Sequence, residues 1–226
     1  MKIKYQLSLF AALIAWLPLS ASAVGSIENA QHTADQSGLF GSSEMRRSGE
    51  PPFPQWRGML ARYQQEETSA FDCSTMKFIR VCSFDEWRDI VAGLSNRPVS
   101  EKLDEVNRYV NRALYISDYR NWGVPDYWAT VGEFLHKDGD CEDYAIAKYV
   151  SLKDLGVPID AMRVVVVEDT NLQTIHAVLV VDIKGQDYVL DNQVPYVVAT
   201  DSVFHYRPIY SINENGWWLH RQRAPR

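Results

Sequence analysis

The 226-residue chain has only three cysteines and five histidines, and no two cysteines have the spacing of a metal hairpin with a histidine at a matching interval. That argues against a structural zinc site. Acidic residues (29) outnumber Lys and Arg (23), giving a formal charge of −6, and the basic ending "HRQRAPR" is short. No Lys/Arg-rich face is present to suggest a nucleic-acid partner. No internal repeat is visible, and no apolar run reaches the roughly 20 residues that span a bilayer, so an integral membrane protein is not expected.

The apolar run that is present lies at the start. Lys2 and Lys4 precede a mostly apolar stretch from Leu7 to Leu19, and Ala21, Ser22 and Ala23 have the small-x-small pattern of a cleavage site. We read residues 1–23 as an export signal cut after Ala23, with no lipidation cysteine beside the cut. Its removal takes two lysines and no acid, lowering the formal charge from −6 to −8. Residues 24–55, polar and rich in Gly, Ser and Pro, read as a flexible mature N-terminus, and residues 56–226 as one domain. In an oxidising compartment three cysteines imply one pair and one free thiol. Cys73 and Cys82 are close in sequence and form the natural disulfide candidate, stabilising the fold by about 2–3 kcal/mol at most. Cys141 is then the thiol left over.

Along the domain, "SFDEW" offers a capping box, Ser83 with Glu86, for a helix over 84–93. Leu103, Val106, Val110, Ala113 and Leu114 recur at helical spacing over 100–115. The segment 115–135 reads as a packed aromatic loop in which Trp122, Tyr127 and Trp128 line either a cleft or the core. A helix from Cys141 to Leu155 ends at "LGVP", where Gly156 and Pro158 stop it. The period then becomes extended: 162–169, 176–183 and 187–192 are β-branched runs, with "KGQ" as the hairpin turn between the last two. Residues 194–198 and 204–210 could add strands. Helices before a strand meander predict an α+β fold with an antiparallel sheet.

"KDGDCEDYAIAKY" (137–149) sets Cys141 among Asp138, Asp140, Glu142 and Asp143. A helix start favours a thiolate and offers free N–H groups for an oxyanion, whereas the neighbouring carboxylates oppose ionisation. Asp140 as N-cap with Asp143 three residues on would explain two of the acids through the helix dipole. A bound Ca²⁺ would cancel the rest of the charge. The spacing is not that of an EF-hand, because Asp143 stands where its glycine belongs and Tyr149 where its final Glu belongs. His176 opens one strand and Asp191 closes the next. With the turn centred between Lys184 and Gly185, His176 faces Gln193 and Asp191 lies diagonal to it, within reach of its side chain. Cys141, His176 and Asp191 together supply the nucleophile, proton carrier and orienting group of a thiol protease or acyl transferase.

The blocks "DYWAT", "GDCEDYAIAKY", "LGVP", "HAVLVV" and "VLDN" resemble the bacterial transglutaminase-like cysteine proteases, and within them the periplasmic LapG-type enzymes, over about Cys73 to Trp217. The resemblance implies a papain-like, transglutaminase-like core with the nucleophile at a helix N-terminus. It implies Cys141 as nucleophile, His176 as general base and acid, and Asp191 as its orienting partner. Asp140 and Glu142 are implied calcium ligands, with Asp138 and Asp143 as further candidates. It further implies a periplasmic enzyme that cuts a large surface adhesin near its N-terminus and so disperses biofilm. An inner-membrane cyclic-di-GMP receptor, for which Trp122 lies in a candidate contact region, would sequester it. A transglutaminase or amidase, or a non-catalytic binding module, would share the same fold.

Overall fold

A computed structural model describes residues 38–47, 51–68 and 83–222. The expected export signal and the Cys73–Cys82 pair lie outside these residues. Among them, six α-helices pack on a seven-stranded antiparallel sheet, the α+β architecture expected from the sequence. The helices are α1 (Pro54–Thr68), α2 (Ser83–Leu94), α3 (Val99–Val110), α4 (Asp118–Trp122), α5 (Val131–Lys137) and α6 (Cys141–Asp154). The strands are β1 (Ser43–Arg47), β2 (Met162–Asp169), β3 (Thr174–Ile183), β4 (Gln186–Leu190), β5 (Val198–Ala199), β6 (Tyr206–Asn213) and β7 (Gly216–Arg221). They lie in the order β1-β7-β6-β2-β3-β4-β5.

Helix α6 is central because it has no polar stripe: every residue from Asp143 to Leu152 is buried. A helix with no solvent face must be enclosed, and α6, although it carries Asp143, Lys148 and Ser151, packs on β2 and β3 on one side and on α3 and α5 on the other. Ile146, Ala147, Tyr149 and Val150 meet Val164, Leu179, Val181 and Leu190 of the sheet in the main core. The opposite sheet face buries Val165, Val167, Val178, Val180 and Val189 under Leu39 and Tyr206. The stop expected at "LGVP" is a Schellman cap. Gly156 takes φ +81°, its N–H donates to Lys153 O, and Val157 N–H donates to Leu152 O, both at 2.9 Å.

The β3–β4 hairpin turns on Lys184 (φ +57°) and Gly185 (φ +86°), the left-handed pair that matches the strand twist. Leu179 pairs with Leu190 and Ile183 with Gln186, the register read from the sequence. That register puts His176 and Asp191 on one diagonal.

Elsewhere the structure departs from the expected elements. Helix α3 ends at Val110 instead of 115, because the chain is pulled toward the start of α6. Leu114 N–H donates to Asp138 Oδ1 (3.1 Å) and Ile116 N–H to Gly139 O (2.8 Å). The expected aromatic loop holds α4 and α5, the latter opened by a capping box of Thr130 and Glu133. Of the expected 194–198 run only Val198 is strand, in the two-residue β5.

The expected flexible N-terminus is in part ordered, since Ser43–Arg47 pairs with β7, a strand the sequence reading missed. Long-range polar groups hold β1 there. Arg163 Nη1 donates to Glu44 Oε2 at 2.8 Å, and the buried His220 ring bridges Ser42 Oγ and Ser211 Oγ at 2.9 Å each.

Because Ile146 is wholly buried at the centre of α6, Ile146→Ala is expected to cost about 2–5 kcal/mol in urea unfolding, with the loss set by how far the core relaxes. A loss within about 0.5 kcal/mol would contradict the central place of this helix.

Candidate active site

The start of α6 is a convergence of chain segments. Asp140 is the N-cap, and Asp143 Oδ2 accepts its backbone N–H at 3.2 Å while Oδ1 accepts Ala129 N–H at 2.7 Å. One carboxylate thus ties the helix start to the segment before α5. A Cβ at Gly139 would fall on that carboxylate, so the residue before the cap has no room for a side chain. Asp140 Oδ2 in turn accepts Asp118 N–H (3.1 Å), and Asp118 Oδ2 accepts Tyr127 N–H (2.5 Å).

Cys141, partly buried, lies in the first turn of α6. Its thiol donates to Glu142 Oε2 at 3.1 Å, and the backbone N–H of Ala177, the residue after His176, is the group that favours its thiolate. The His176 ring is buried, with Nε2 2.9 Å from Asp191 Oδ1. The nitrogen opposite, Nδ1, is the one left for other partners. Asp191 also accepts Gln193 N–H at 2.9 Å on Oδ1 and the Tyr206 hydroxyl at 2.5 Å on Oδ2. Of the three residues singled out from the sequence, His176 and Asp191 are in direct contact, and Cys141 opens the helix that packs on the strand of His176.

Tyr206, missed in the sequence, orients Asp191 from β6 and packs its ring 5.7 Å from His176. Nothing in "FHYRP" signals this role; only the β2–β6 pairing brings it there. Helix α3 contributes as well. Asn111 Nδ2 donates to Asp191 O (2.8 Å) and Val194 O (3.4 Å), and Asn107 Nδ2 to Pro195 O (3.4 Å), holding the chain just after the aspartate.

Of the four acids flagged around Cys141, three join two residues the sequence reading overlooked. Oxygens of Asp118, Asp140 and Asp143 lie within 4.8 Å of one another, as do those of Asp118, Asp126 and Glu142. Asp138 belongs to neither group. It takes φ +62° at the end of α5 and receives Leu114 N–H. Asp126 is tied by Trp128 Nε1 (2.9 Å) and Gln55 Nε2 (2.6 Å). The buried Oδ1 atoms of Asp118 and Asp140 have no hydrogen-bond partner among the described residues.

The electrostatics follow from this crowding. Burial, then repulsion by Glu142, pushes Asp140 up to about 7. Burial pushes Asp118 up to about 6 and raises Glu142 and Asp143 as well. The Cys141 thiol is driven far up, first by burial and then by Glu142. Asp191 goes the other way: burial would raise it, but the His176 hydrogen bond and charge outweigh that, so it stays ionised. Two orphaned carboxylate oxygens among crowded hard donors fit a divalent cation such as calcium. The same donors fit a soft, sulfur-preferring metal poorly.

Trp122 closes α4 with its ring stacked on Tyr127 at 4.3 Å and Lys137 Nζ 3.9 Å from its face, while Trp128 belongs to the core.

The sequence pattern of the bacterial transglutaminase-like cysteine proteinases matches residues 72–224. The chain belongs to this family, in its LapG-type branch. Three solved structures of Legionella pneumophila LapG are similar at 31% identity. The first covers 61% of this chain and 77% of LapG with a TM-score of 0.56. Those of the calcium-bound and EGTA-treated protein each cover 63% of this chain, and 81% and 78% of LapG, with TM-scores of 0.57. No curated protein matches significantly. The antiparallel sheet with a cysteine-bearing helix across it is thus the fold of this cysteine proteinase family.

Carboxyls whose values are raised by folding bind protons more tightly folded than unfolded, so stability falls as pH rises through them. In the cation-free protein, Asp118 and Asp140 together set a decline from about pH 4 to about pH 7. Asp191, lowered, works oppositely and loses its contribution only below the usual carboxylate range. The midpoint of thermal unfolding in EGTA is expected to be higher at about pH 5 than at about pH 7.5; a flat or rising profile would contradict the repulsion.

Proposed function

We propose that the protein is a calcium-dependent periplasmic cysteine endopeptidase in which Cys141, His176 and Asp191 form the catalytic triad. The observation that carries this reading is the buried His176 ring, fixed to Asp191 at 2.9 Å, on β3, the strand against which the helix opened by Cys141 packs. With Nε2 turned to the aspartate, Nδ1 is the nitrogen that exchanges a proton with the thiol. The Cys141 thiolate attacks the scissile carbonyl carbon, forming a carbon–sulfur bond. The free N–H groups of the first turn of α6 receive the oxyanion. His176 then gives its proton to the leaving amine as the carbon–nitrogen bond breaks. Water, deprotonated by the same imidazole, hydrolyses the thioester and releases the second product.

Calcium would be held by Asp118, Asp140 and Glu142, with Asp126 and Asp143 beside them. When bound it supplies positive charge next to the sulfur. Support for calcium comes from the orphaned oxygens of Asp118 and Asp140 and from the calcium-bound form of Legionella LapG. Asp143, already spanning two backbone N–H groups, serves first to hold the helix start.

The resemblance to LapG-type enzymes supports a large surface adhesin as substrate, cut near its N-terminus with release of the cells from biofilm, and an inner-membrane cyclic-di-GMP receptor that sequesters the protease. The export signal in residues 1–23 supports the periplasm, and among the described residues no helix is long and apolar enough to cross a membrane. Trp122, stacked at the end of α4 close to the acidic group, is the residue proposed for receptor contact.

Incubation with the N-terminal region of a candidate adhesin is expected to give two fragments whose masses sum to substrate plus water. EGTA should abolish cleavage, excess Ca²⁺ should restore it, and Cys141→Ala should be inactive. Cleavage by that variant would overturn the nucleophile, cleavage undiminished by chelation would overturn the calcium, and a single heavier crosslinked product would point to transamidation.

A further inference from the structure

Lys148 sits on α6, seven residues or about two turns beyond Cys141, on the same stripe of the helix. Its side chain is fully buried, and its Nζ has no hydrogen-bond partner among the described residues. An unpaired ammonium is among the costliest groups to bury, and a methionine would fill nearly the same volume without that cost. Packing therefore does not account for a lysine here.

The charge it faces does. Asp191 is the group that acts on the ammonium, opposing the burial that lowers it to about 7. The other titratable groups near it are His176 on β3 and Tyr206 on β6, both through Asp191, and Tyr144 on α6, whose ring lies 5.9 Å from Nζ. From α3 the buried polar group is the amide of Asn107, whose oxygen, like those of Asn111 and Asn192, is unpaired among the described residues. These amides and residues 191–195 form the seam behind the aspartate.

We propose that Lys148 is a positioning residue of the proteolytic site: its ammonium, sealed behind Asp191, balances that carboxylate so that it orients the His176 ring without retaining the proton the ring must give to the leaving amine. The proposal rests on the triad assigned above. Lys148 touches neither substrate nor the reacting atoms, and acts through Asp191 alone.

Neutral Lys148→Met separates this role from a structural one. In the calcium-loaded enzyme the variant should unfold at the same or a higher temperature, since burial of this ammonium outweighs its attraction to Asp191. Its kcat for peptide hydrolysis should fall about tenfold or more, with KM within about twofold, because proton delivery and not binding is slowed. Alkylation of Cys141 by iodoacetamide, which needs no proton delivered to a leaving group, should be no slower than in the wild type. Lys148→Gln should show the same split and serves if the methionine variant fails to fold. Unchanged kcat would overturn the proposal. So would a joint fall of kcat, alkylation and unfolding temperature, which marks a packing role. Failure of the protease reading itself would look different: the wild type would then show no hydrolysis that Cys141→Ala abolishes.

Discussion

Like charges crowded round one helix start are the constraint on which the rest of this structure depends. Asp118, Asp140, Glu142 and Asp143 converge on the first turn of α6, with Asp126 beside them, and the Cys141 thiol stands in their midst. A helix N-terminus draws anions through its dipole and free N–H groups, which is enough for one or two carboxylates. It is not enough for this many in a buried place, and the raised Asp118, Asp140 and Glu142 record first their burial and then their mutual repulsion. The fold tolerates the excess because each segment at the site is tied to another through one of these acids. Asp143 ties α6 to the segment before α5, Asp140 ties it to α4, and Asp118 ties α4 to Tyr127. Removing the carboxylates would relieve the repulsion and undo the joints together.

Much of this was legible in the sequence where a local pattern reported a local structure. The β3–β4 register followed from two residues, Lys184 and Gly185, because a two-residue turn leaves one pairing, and with it came the His176–Asp191 diagonal. The end of α6 followed from Gly156 for the same reason. The capping box at Thr130 was readable yet was obscured by the surrounding aromatics, so α5 was read as loop. Asp118 and Asp126 were not legible at all. They lie fifteen or more residues upstream of Cys141, and only the path of the chain after α3 folds them onto α6. Tyr206 depended on the pairing of β6 with β2, which spans a long connection and a register shift between Val166 and Val167. The N-terminal strand was hidden for another reason. "SEMRR" has the composition of a loop, and its partners Arg163, His220 and the rest of β7 lie far along the chain.

The two ends of the proposed catalytic arrangement carry opposite electrostatic problems, and α6 joins them. At its start burial, and then the negative charge of Glu142 and Asp140, drive the Cys141 thiol up and favour its protonated form. Two turns on, burial lowers the Lys148 ammonium to about 7, and Asp191 is the charge that opposes this. The second problem is solved within the chain, because the aspartate is gripped by His176, Tyr206 and Gln193 and stays ionised whatever happens outside. The first is not met in the same way, since the charges that shift Cys141 most are the carboxylates of Glu142 and Asp140. A site whose imidazole is prepared while its thiol is withheld can be switched by anything that brings positive charge to the start of α6. For a cation the open oxygens of Asp118 and Asp140 are the point of entry. Control thus resides in the protonation of one sulfur, and the rest of the core can remain rigid while activity changes.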